Sequence, residues 1–85
     1  MKINNASILI TGGTGTFGKA MVSKLLKSYP NIKRLVIFSR DELKQDQMND
    51  EFSTEKYKNL RYFIGDVRDY QRLLRALDGI DIIIH

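Results

Sequence analysis

A glycine-rich segment near the N-terminus constrains the fold of this chain more than any other feature. Residues 11–18 have the sequence Thr-Gly-Gly-Thr-Gly-Thr-Phe-Gly, between an apolar run and a segment with helical periodicity. The glycines match two templates, Gly13-x-Gly15-x-x-Gly18 and Gly12-x-x-Gly15-x-x-Gly18. In both, the first glycine permits a tight turn, the middle one lets the backbone approach a bound group, and the last allows the helix to pack closely on the strand. A strand, a glycine loop and a helix in this order predict a site where a pyrophosphate binds at the helix N-terminus.

This segment has two alternative interpretations. Residues 13–19 also match most of the phosphate loop of nucleoside triphosphatases, G-x-x-x-x-G-K. That motif requires Ser or Thr after the lysine to hold Mg²⁺, whereas this chain has Ala20 after Lys19. The other alternative is a purely structural glycine turn. The sequence context favours the dinucleotide loop, and we expect Lys19 on the outer face of the helix.

Four short apolar runs predict the strands of a parallel sheet. They are continuous rather than alternating, as in strands that are buried on both faces, and they lie at residues 8–10, 35–38, 62–64 and 82–84. Right-handed connections between them predict an α/β Rossmann arrangement, a doubly wound parallel sheet with strand order 3-2-1-4. A complete domain of this kind has more strands. We therefore expect residues 1–85 to be the N-terminal part of such a domain.

The segments between these runs carry the start and stop signals of helices. One apolar stripe of the first helix consists of Phe17, Met21, Leu25 and Tyr29. Pro30 ends this helix. Asp41 and Asp69 are predicted N-caps of the second and third helices, and Gly79 suits the C-terminus of the third.

Composition narrows the functional class. The 85 residues are 42% hydrophobic and 28% charged, which is typical of a globular protein. No apolar stretch approaches the ~18 residues of a membrane span, and no secretory segment is visible, so we expect a cytoplasmic protein without membrane contact. The absence of cysteine excludes thiolate metal sites, and we predict no metal. The net charge of +4 is spread along the chain rather than clustered, which argues against nucleic-acid binding.

Residues at the end of the second strand decide which dinucleotide is bound. An acid there selects NAD through the ribose 2′-hydroxyl, whereas an arginine accommodates the 2′-phosphate of NADP. Ser39 and Arg40 occupy this position, with Lys44 one helical turn further on, and they predict NADP. Asp41 and Glu42 are the alternative, NAD-selecting acids, although their position suits a helix N-terminus. A surface Arg40 paired with Asp41 is the non-functional alternative.

The end of the third strand carries a second pair of candidates. Asp66 is placed to accept a hydrogen bond from the adenine amino group, while Val67 packs against the ring. The alternative is that Asp66 caps the following helix. His85 is the only histidine, and we interpret it as structural.

With these motifs assembled, the chain resembles the extended short-chain dehydrogenase/reductase superfamily. More narrowly, it is similar to the soluble inverting UDP-N-acetylglucosamine 4,6-dehydratases of bacterial polysaccharide and pseudaminic-acid biosynthesis. The resemblance covers residues 7–85 and depends on residues 8–19, 38–45 and 62–69, of which the last two segments are the more specific. Together with the motifs, it implies an NADP site whose contacts are Gly12, Thr14, Gly15, Thr16, Phe17, Gly18, Ser39, Arg40, Asp41, Glu42, Leu43, Lys44, Asp66 and Val67.

The resemblance also implies a reaction and partners. Hydride leaves C4 of a UDP-sugar, water is lost across C5–C6, and hydride returns to C6 with inversion at C5. Homo-oligomers are common in this family. Its catalytic tyrosine–lysine pair and its elimination acid and base match nothing in residues 1–85, so we predict no catalytic residue here. Thr16 stands where the family often has serine. A non-catalytic NADP-binding sensor and a related sugar-nucleotide epimerase or reductase remain alternatives.

Overall fold

Strands and helices alternate along the chain in the computed structural model, which describes residues 3–85. In chain order the elements are β1 (Ser7–Thr11), α1 (Thr16–Ser28), β2 (Arg34–Ser39), α2 (Glu42–Glu51), β3 (Leu60–Ile64), α3 (Tyr70–Leu77) and β4 (Ile82–Ile84). Met1 and Lys2, the first two residues of the predicted domain, lie outside the described residues. Among residues 3–85, the helices are too short and too polar to cross a bilayer.

The four strands form one parallel sheet in the order β3-β2-β1-β4, which confirms the predicted topology. The register places Leu9 of β1 opposite both Val36 of β2 and Ile83 of β4. β3 begins at Leu60, two residues before the apolar run that predicted it, and pairs there with Leu35. β1 is therefore an inner strand. β2 and β3 follow on one side of it and β4 lies on the other, so the order in which strands are added to the sheet reverses at β1.

Each face of the sheet carries its own apolar cluster, because successive strand residues point to opposite faces. One cluster combines Ile8, Ile10, Leu35 and Ile37 of the sheet with Val22, Leu25 and Leu26 of α1 and Met48 of α2. The other combines Leu9, Val36 and Phe38 with Ala76 of α3. Helices therefore cover both faces of the sheet. This two-sided burial is the reason that the strands have continuous rather than alternating apolar sequences.

The predicted helix caps are present. The Asp41 carboxylate accepts from the N–H of Lys44 at 3.0 Å, and the Asp69 carboxylate accepts from the N–H of Arg72 at 3.2 Å. Gly79 follows α3 with a φ of +74°, a left-handed conformation that glycine adopts without steric cost.

The structure corrects one part of the predicted apolar stripe on α1. Phe17 is 71% exposed rather than packed on the sheet. The face of α1 that meets the sheet passes through Gly18, Val22 and Leu25. Successive residues of a helix differ in direction by about 100°, so Phe17 points about 100° away from the buried Gly18.

Candidate cofactor-binding site

A cleft of about 670 Å³ opens at the C-terminal ends of the strands, where parallel sheets of this topology bind ligands. Its walls come from the glycine loop, the end of β2, the end of β3 and the residue after β4. They are formed by Thr11, Gly12, Thr14, Phe38, Ser39, Arg40, Asp41, Lys44, Gly65, Asp66, Val67, Arg68 and His85. Residues that are far apart in the sequence thus converge on one concave surface.

The glycine loop makes a tight turn directly after β1. Gly12 has a φ of +64°, its N–H donates to the carbonyl of Phe38 at 3.0 Å, and its carbonyl accepts from the N–H of Gly15 at 3.3 Å. Gly18 packs against the loop so closely that a Cβ added there would lie 2.4 Å from the Cα of Gly13. These contacts bring the start of α1 against the end of β1, as the spacing of the glycines predicts.

The N-terminus of α1 is suited to an anion. Gly15 is its N-cap, no side chain accepts from the N–H groups of the first turn, and that turn contains no acidic residue. Free N–H groups and the helix dipole give this end a partial positive charge. A Cβ added to Gly15 would meet nothing closer than the Gly12 carbonyl at 3.7 Å. Bulk added at Gly15 would therefore lie in open space beside the loop.

At the end of β2, the structure shows which groups the side chains of Asp41 and Arg40 contact. The carboxylate of Asp41 is engaged as the cap of α2, which is the helix-terminal role that its position suggested. The ion pair of Arg40 is with Asp66 rather than with Asp41: its Nη1 lies 3.6 Å from Oδ2 of Asp66. Ser39 is buried, and Lys44 lies on the same wall of the cleft. Two cationic side chains and a hydroxyl therefore line the same cleft.

At the end of β3, Asp66 is held by Arg68. Oδ1 accepts from the Arg68 N–H at 2.9 Å, and Oδ2 accepts from Arg68 Nη2 at 2.8 Å. Hydrogen bonds from the Arg68 side chain and backbone, aided by its charge and that of Arg40, hold the pKa of Asp66 well below its usual range. Asp69 is the cap of α3, so the alternative role of Asp66 as that cap is wrong. Val67 is 44% exposed beside it.

An arginine of α3 fixes the path of the chain into this corner. Arg72 donates from Nε to the carbonyl of Ile64 at 2.8 Å, and its guanidinium carbon lies 4.2 Å from the centre of the Phe63 ring. Gly65 has no room for a side chain, because a Cβ there would lie 2.6 Å from the ring of Phe38. These contacts fix the path of the backbone from the end of β3 to Asp66, which lines the cleft.

Eight of the predicted contacts lie on the wall of the cleft. They are Gly12, Thr14, Ser39, Arg40, Asp41, Lys44, Asp66 and Val67. The other six do not line it: Gly15, Thr16, Phe17 and Gly18 form the start of α1, Leu43 is exposed on α2, and Glu42 lines a separate cavity of about 610 Å³ between α2 and β3. No residue of the glycine loop lines that cavity, and its wall carries side chains of both charges.

Five residues of the cleft were not among the predicted contacts: Thr11, Phe38, Gly65, Arg68 and His85. Thr11 and His85 join the ends of β1 and β4 through a 2.6 Å hydrogen bond between Oγ1 and Nδ1. The predicted strand order contained the signal for this pair, because it makes β1 and β4 neighbours. Arg68 was detectable from its position two residues after Asp66. Within residues 3–85, no group of three or more histidine or acidic side chains is arranged to hold a metal ion.

The topology, the glycine loop and the cleft at the strand ends define a nucleotide-binding Rossmann fold. The chain belongs to a family described as polysaccharide biosynthesis proteins, which matches residues 8–85. This assignment confirms the resemblance at the level of the family.

Individual relatives are sugar-nucleotide enzymes. The chain is 51% identical over 83 residues to UDP-N-acetylglucosamine 4,6-dehydratase (inverting) of Campylobacter jejuni subsp. jejuni serotype O:23/36 (strain 81-176), covering 96% of this chain and 23% of the relative. It is 46% identical over 81 residues to UDP-glucose 4-epimerase of Rickettsia prowazekii (strain Madrid E), covering 93% and 23%. The chain thus spans less than a quarter of the length of these curated relatives.

A solved structure is similar over the whole chain. The X-ray structure of Pen from Bacillus thuringiensis superimposes with a TM-score of 0.88 and is 40% identical. The match covers 100% of this chain and 26% of that protein. The parallel sheet in the order 3-2-1-4 with intervening helices is therefore shared with a relative of experimentally determined structure.

Proposed function

We propose that this chain is the NADP(H)-binding part of a sugar-nucleotide-modifying enzyme, specifically a C5-inverting UDP-N-acetylglucosamine 4,6-dehydratase. The observation that carries the cofactor assignment is the meeting of Ser39, Arg40 and Lys44 in the same cleft as the glycine loop. The identity of 51% to a dehydratase of that name supports the substrate and the reaction.

The residues present fit a 2′-phosphorylated dinucleotide. The uncapped N-terminus of α1, which begins after Gly15, would hold the pyrophosphate. Arg40 would bind the 2′-phosphate through parallel hydrogen bonds, with Ser39 and Lys44 beside it. Asp66 would accept from the adenine amino group.

The remaining predicted contacts belong to the same proposal. Gly12 and Thr14 of the glycine loop line the cleft, while Thr16, Phe17 and Gly18 form the first turn of α1. Val67 would lie against the adenine ring. Asp41, Glu42 and Leu43 would contribute from the start of α2.

In the proposed reaction, this chain supplies binding rather than proton transfer. When bound, NADP supplies a hydride acceptor and donor, so that hydride removed from sugar C4 returns at C6 after loss of water across C5–C6. The groups described here hold the adenosine half and the pyrophosphate. We assign no catalytic residue among residues 3–85.

One relative favours a second candidate function. The chain is 46% identical to a UDP-glucose 4-epimerase over nearly its whole length, which supports a sugar-nucleotide epimerase almost as well. Both reactions begin with oxidation of a sugar nucleotide by a nicotinamide cofactor, so the binding site described here suits either.

Two measurements on the full-length protein test the proposal. Calorimetric titration with NADP⁺ and NAD⁺ is expected to show tighter binding of NADP⁺. Incubation with UDP-N-acetylglucosamine, followed by mass spectrometry, is expected to show loss of one water, whereas an epimerase yields a product of unchanged mass. Binding without turnover would favour the sensor, and preference for NAD⁺ would overturn the cofactor assignment.

The resemblance extends the proposal to partners and location. We expect a cytoplasmic homo-oligomer that binds a UDP-sugar and neither a membrane nor nucleic acid. Analytical ultracentrifugation of the full-length protein and fractionation of cells that produce it test these two expectations directly.

A further inference from the structure

A glutamine on α2 has surroundings that its helix does not suggest. Gln45 lies on the largely polar helix α2, yet it is only 5% exposed. Its Nε2 lies 2.8 Å from Oγ of Ser39, 3.2 Å from the carbonyl oxygen of Phe63 and 3.5 Å from the carbonyl oxygen of Ser39. The side-chain amide thus lies between the ends of β2 and β3 and contacts Ser39, which lines the cleft, while Gln45 itself lines the separate cavity between α2 and β3.

The neighbours of Gln45 determine which way its amide faces. Two of the three nearby atoms are backbone carbonyl oxygens, which only accept hydrogen bonds, so the NH₂ group rather than Oε1 must face them. An amide nitrogen has two hydrogens. The two shorter contacts assign one hydrogen to the carbonyl of Phe63 and the other to Oγ of Ser39.

This assignment gives a direction to the hydroxyl of Ser39. Because Oγ accepts from Gln45, the hydrogen of the hydroxyl must point elsewhere, and Ser39 lines the cleft. We propose that Gln45 is a positioning residue, which turns Ser39 into a hydrogen-bond donor toward the 2′-phosphate of NADP and so contributes to selectivity over NAD. This inference rests on the proposed function.

The chemistry of the two cofactors explains why the effect is selective. The oxygens of an ionised phosphate are acceptors, so they benefit from a hydroxyl whose hydrogen already faces them. The ribose 2′-hydroxyl of NAD both donates and accepts, and it can pair with Ser39 in either orientation. Loss of the Gln45 hydrogen bond should therefore weaken binding of NADP⁺ and leave binding of NAD⁺ almost unchanged.

The test compares binding of NADP⁺ and NAD⁺ by the full-length wild type, Gln45→Met and Ser39→Ala proteins. Gln45→Met is expected to reduce the ratio of NADP⁺ to NAD⁺ affinity by about tenfold. This is the effect of losing one hydrogen bond to a charged group, here the bond from the Ser39 hydroxyl to the 2′-phosphate. Ser39→Ala should reduce the ratio similarly. In the double variant the two losses should not add, because Gln45 acts through Ser39. Gln47→Met, the same substitution on the exposed face of α2, should leave the ratio unchanged.

A purely structural role gives a different result. If Gln45 only ties α2 to β3, Gln45→Met would weaken both cofactors equally, and this outcome overturns the inference. Should Gln45→Met fail to fold, an unchanged ratio in Ser39→Ala still overturns the inference, because it removes the hydroxyl as a donor. A wild type without preference for NADP⁺ rejects the proposed function itself, whereas a wild-type ratio in both variants rejects only the roles given to Gln45 and the Ser39 hydroxyl.

Discussion

The guanidinium of Arg40, at the end of β2, lies 3.6 Å from the carboxylate of Asp66, which follows β3. The Arg40 side chain is 70% exposed, so water screens the pair and the pair contributes little to folding stability. Asp66 also pairs with Arg68 at 2.8 Å, which keeps its charge compensated if Arg40 turns away. Arg40 is therefore able to rotate toward an anion in the cleft at a small energetic cost.

The first prediction concerns this arginine. In the full-length protein, Arg40→Ala should reduce the ratio of NADP⁺ to NAD⁺ affinity by about tenfold to a hundredfold, because a charge-assisted pair of hydrogen bonds to phosphate is lost. Calorimetry with both cofactors measures the ratio. Arg40→Lys is the matched control, since it keeps the charge without the planar fork and should retain part of the preference. Unchanged selectivity in Arg40→Ala would remove Arg40 from the site.

The second prediction concerns the protonation of Asp66. Hydrogen bonds from Arg68 hold the pKa of this carboxyl well below its ordinary value of 3.8. A lowered folded-state pKa means that ionised Asp66 stabilises the fold above its unfolded pKa, and that this contribution is lost as the pH falls through the lower folded value. Arg68→Ala should therefore raise the pKa of Asp66 toward 3.8.

Carbon-detected NMR titration of the Asp66 carboxyl group measures this shift. Arg75→Ala is the control, because it removes the same charge from an exposed position of α3. An equal shift in both variants would mean that net charge, rather than the hydrogen bonds from Arg68, sets the pKa of Asp66.

The third prediction separates two glycines of the loop. Gly18→Ala would place a Cβ 2.4 Å from the backbone of Gly13, and a backbone cannot yield as a flexible side chain does. We expect a loss of about 3 kcal/mol or more in the free energy of unfolding, measured by urea denaturation. Gly15→Ala meets nothing within 3.7 Å and should cost less than about 1 kcal/mol as a poorer N-cap.

The same pair of variants also tests the pyrophosphate site. Gly15→Ala should stay folded but weaken NADP⁺ binding, because the added methyl group obstructs the approach of the pyrophosphate to the loop. Full affinity in Gly15→Ala would place the pyrophosphate elsewhere, and a stable Gly18→Ala protein would contradict the close contact between Gly18 and Gly13.

The fold was largely predictable from the sequence because each strand is buried on both faces, which produces continuous apolar runs such as residues 35–38. Caps at Asp41 and Asp69 were predictable because capping depends on residues only three positions apart. Helix rotation was less predictable. Phe17 matches the apolar period of α1 but is exposed, since the close approach of Gly18 to the loop determines which face meets the sheet.

The candidate site was only partly predictable for a different reason. Arg40 and Asp66 follow their own strands, and the strand order alone brings them to the same edge. The hydrogen bonds of Gln45, in contrast, depend on the packing of α2 against β2 and β3, which a polar helix sequence does not reveal. The predicted strand order made β1 and β4 neighbours, but the bond between Thr11 and His85 also depends on the register of these two strands.

The fourth prediction concerns a tyrosine behind α2. The hydroxyl of Tyr62 donates to the carbonyl of Phe52 at 2.7 Å, and burial, followed by the negative charge of Glu51, raises the pKa of Tyr62 to about 12. Because the folded state holds this proton more tightly than the unfolded state, the contribution is complete below pH 10 and is lost as the pH rises toward 12. The ultraviolet absorbance of tyrosinate, followed during an alkaline titration, should show the late ionisation of Tyr62.

Two variants check this assignment. Tyr62→Phe should remove the late ionisation and cost about 1 kcal/mol through loss of the hydrogen bond to Phe52. Glu51→Gln should lower the pKa of Tyr62 without removing its titration. Ionisation of Tyr62 near its ordinary pKa of 10 would show that its hydroxyl is hydrated in solution.

The fifth prediction concerns the outer edge of β4 in the 85-residue chain produced on its own. β4 pairs only with β1 in the described sheet, and its central residue, Ile83, is 54% exposed. An apolar strand with an open edge pairs readily with other chains. We therefore expect this chain to self-associate, which light scattering across a concentration series measures. We also expect it to bind NADP(H) weakly.

Ile83→Lys should reduce the association, because a charged side chain opposes edge-to-edge pairing, whereas Lys24→Ala on the exposed side of α1 should not. A monodisperse and thermally stable wild-type monomer would show that this edge is protected by means other than a partner strand.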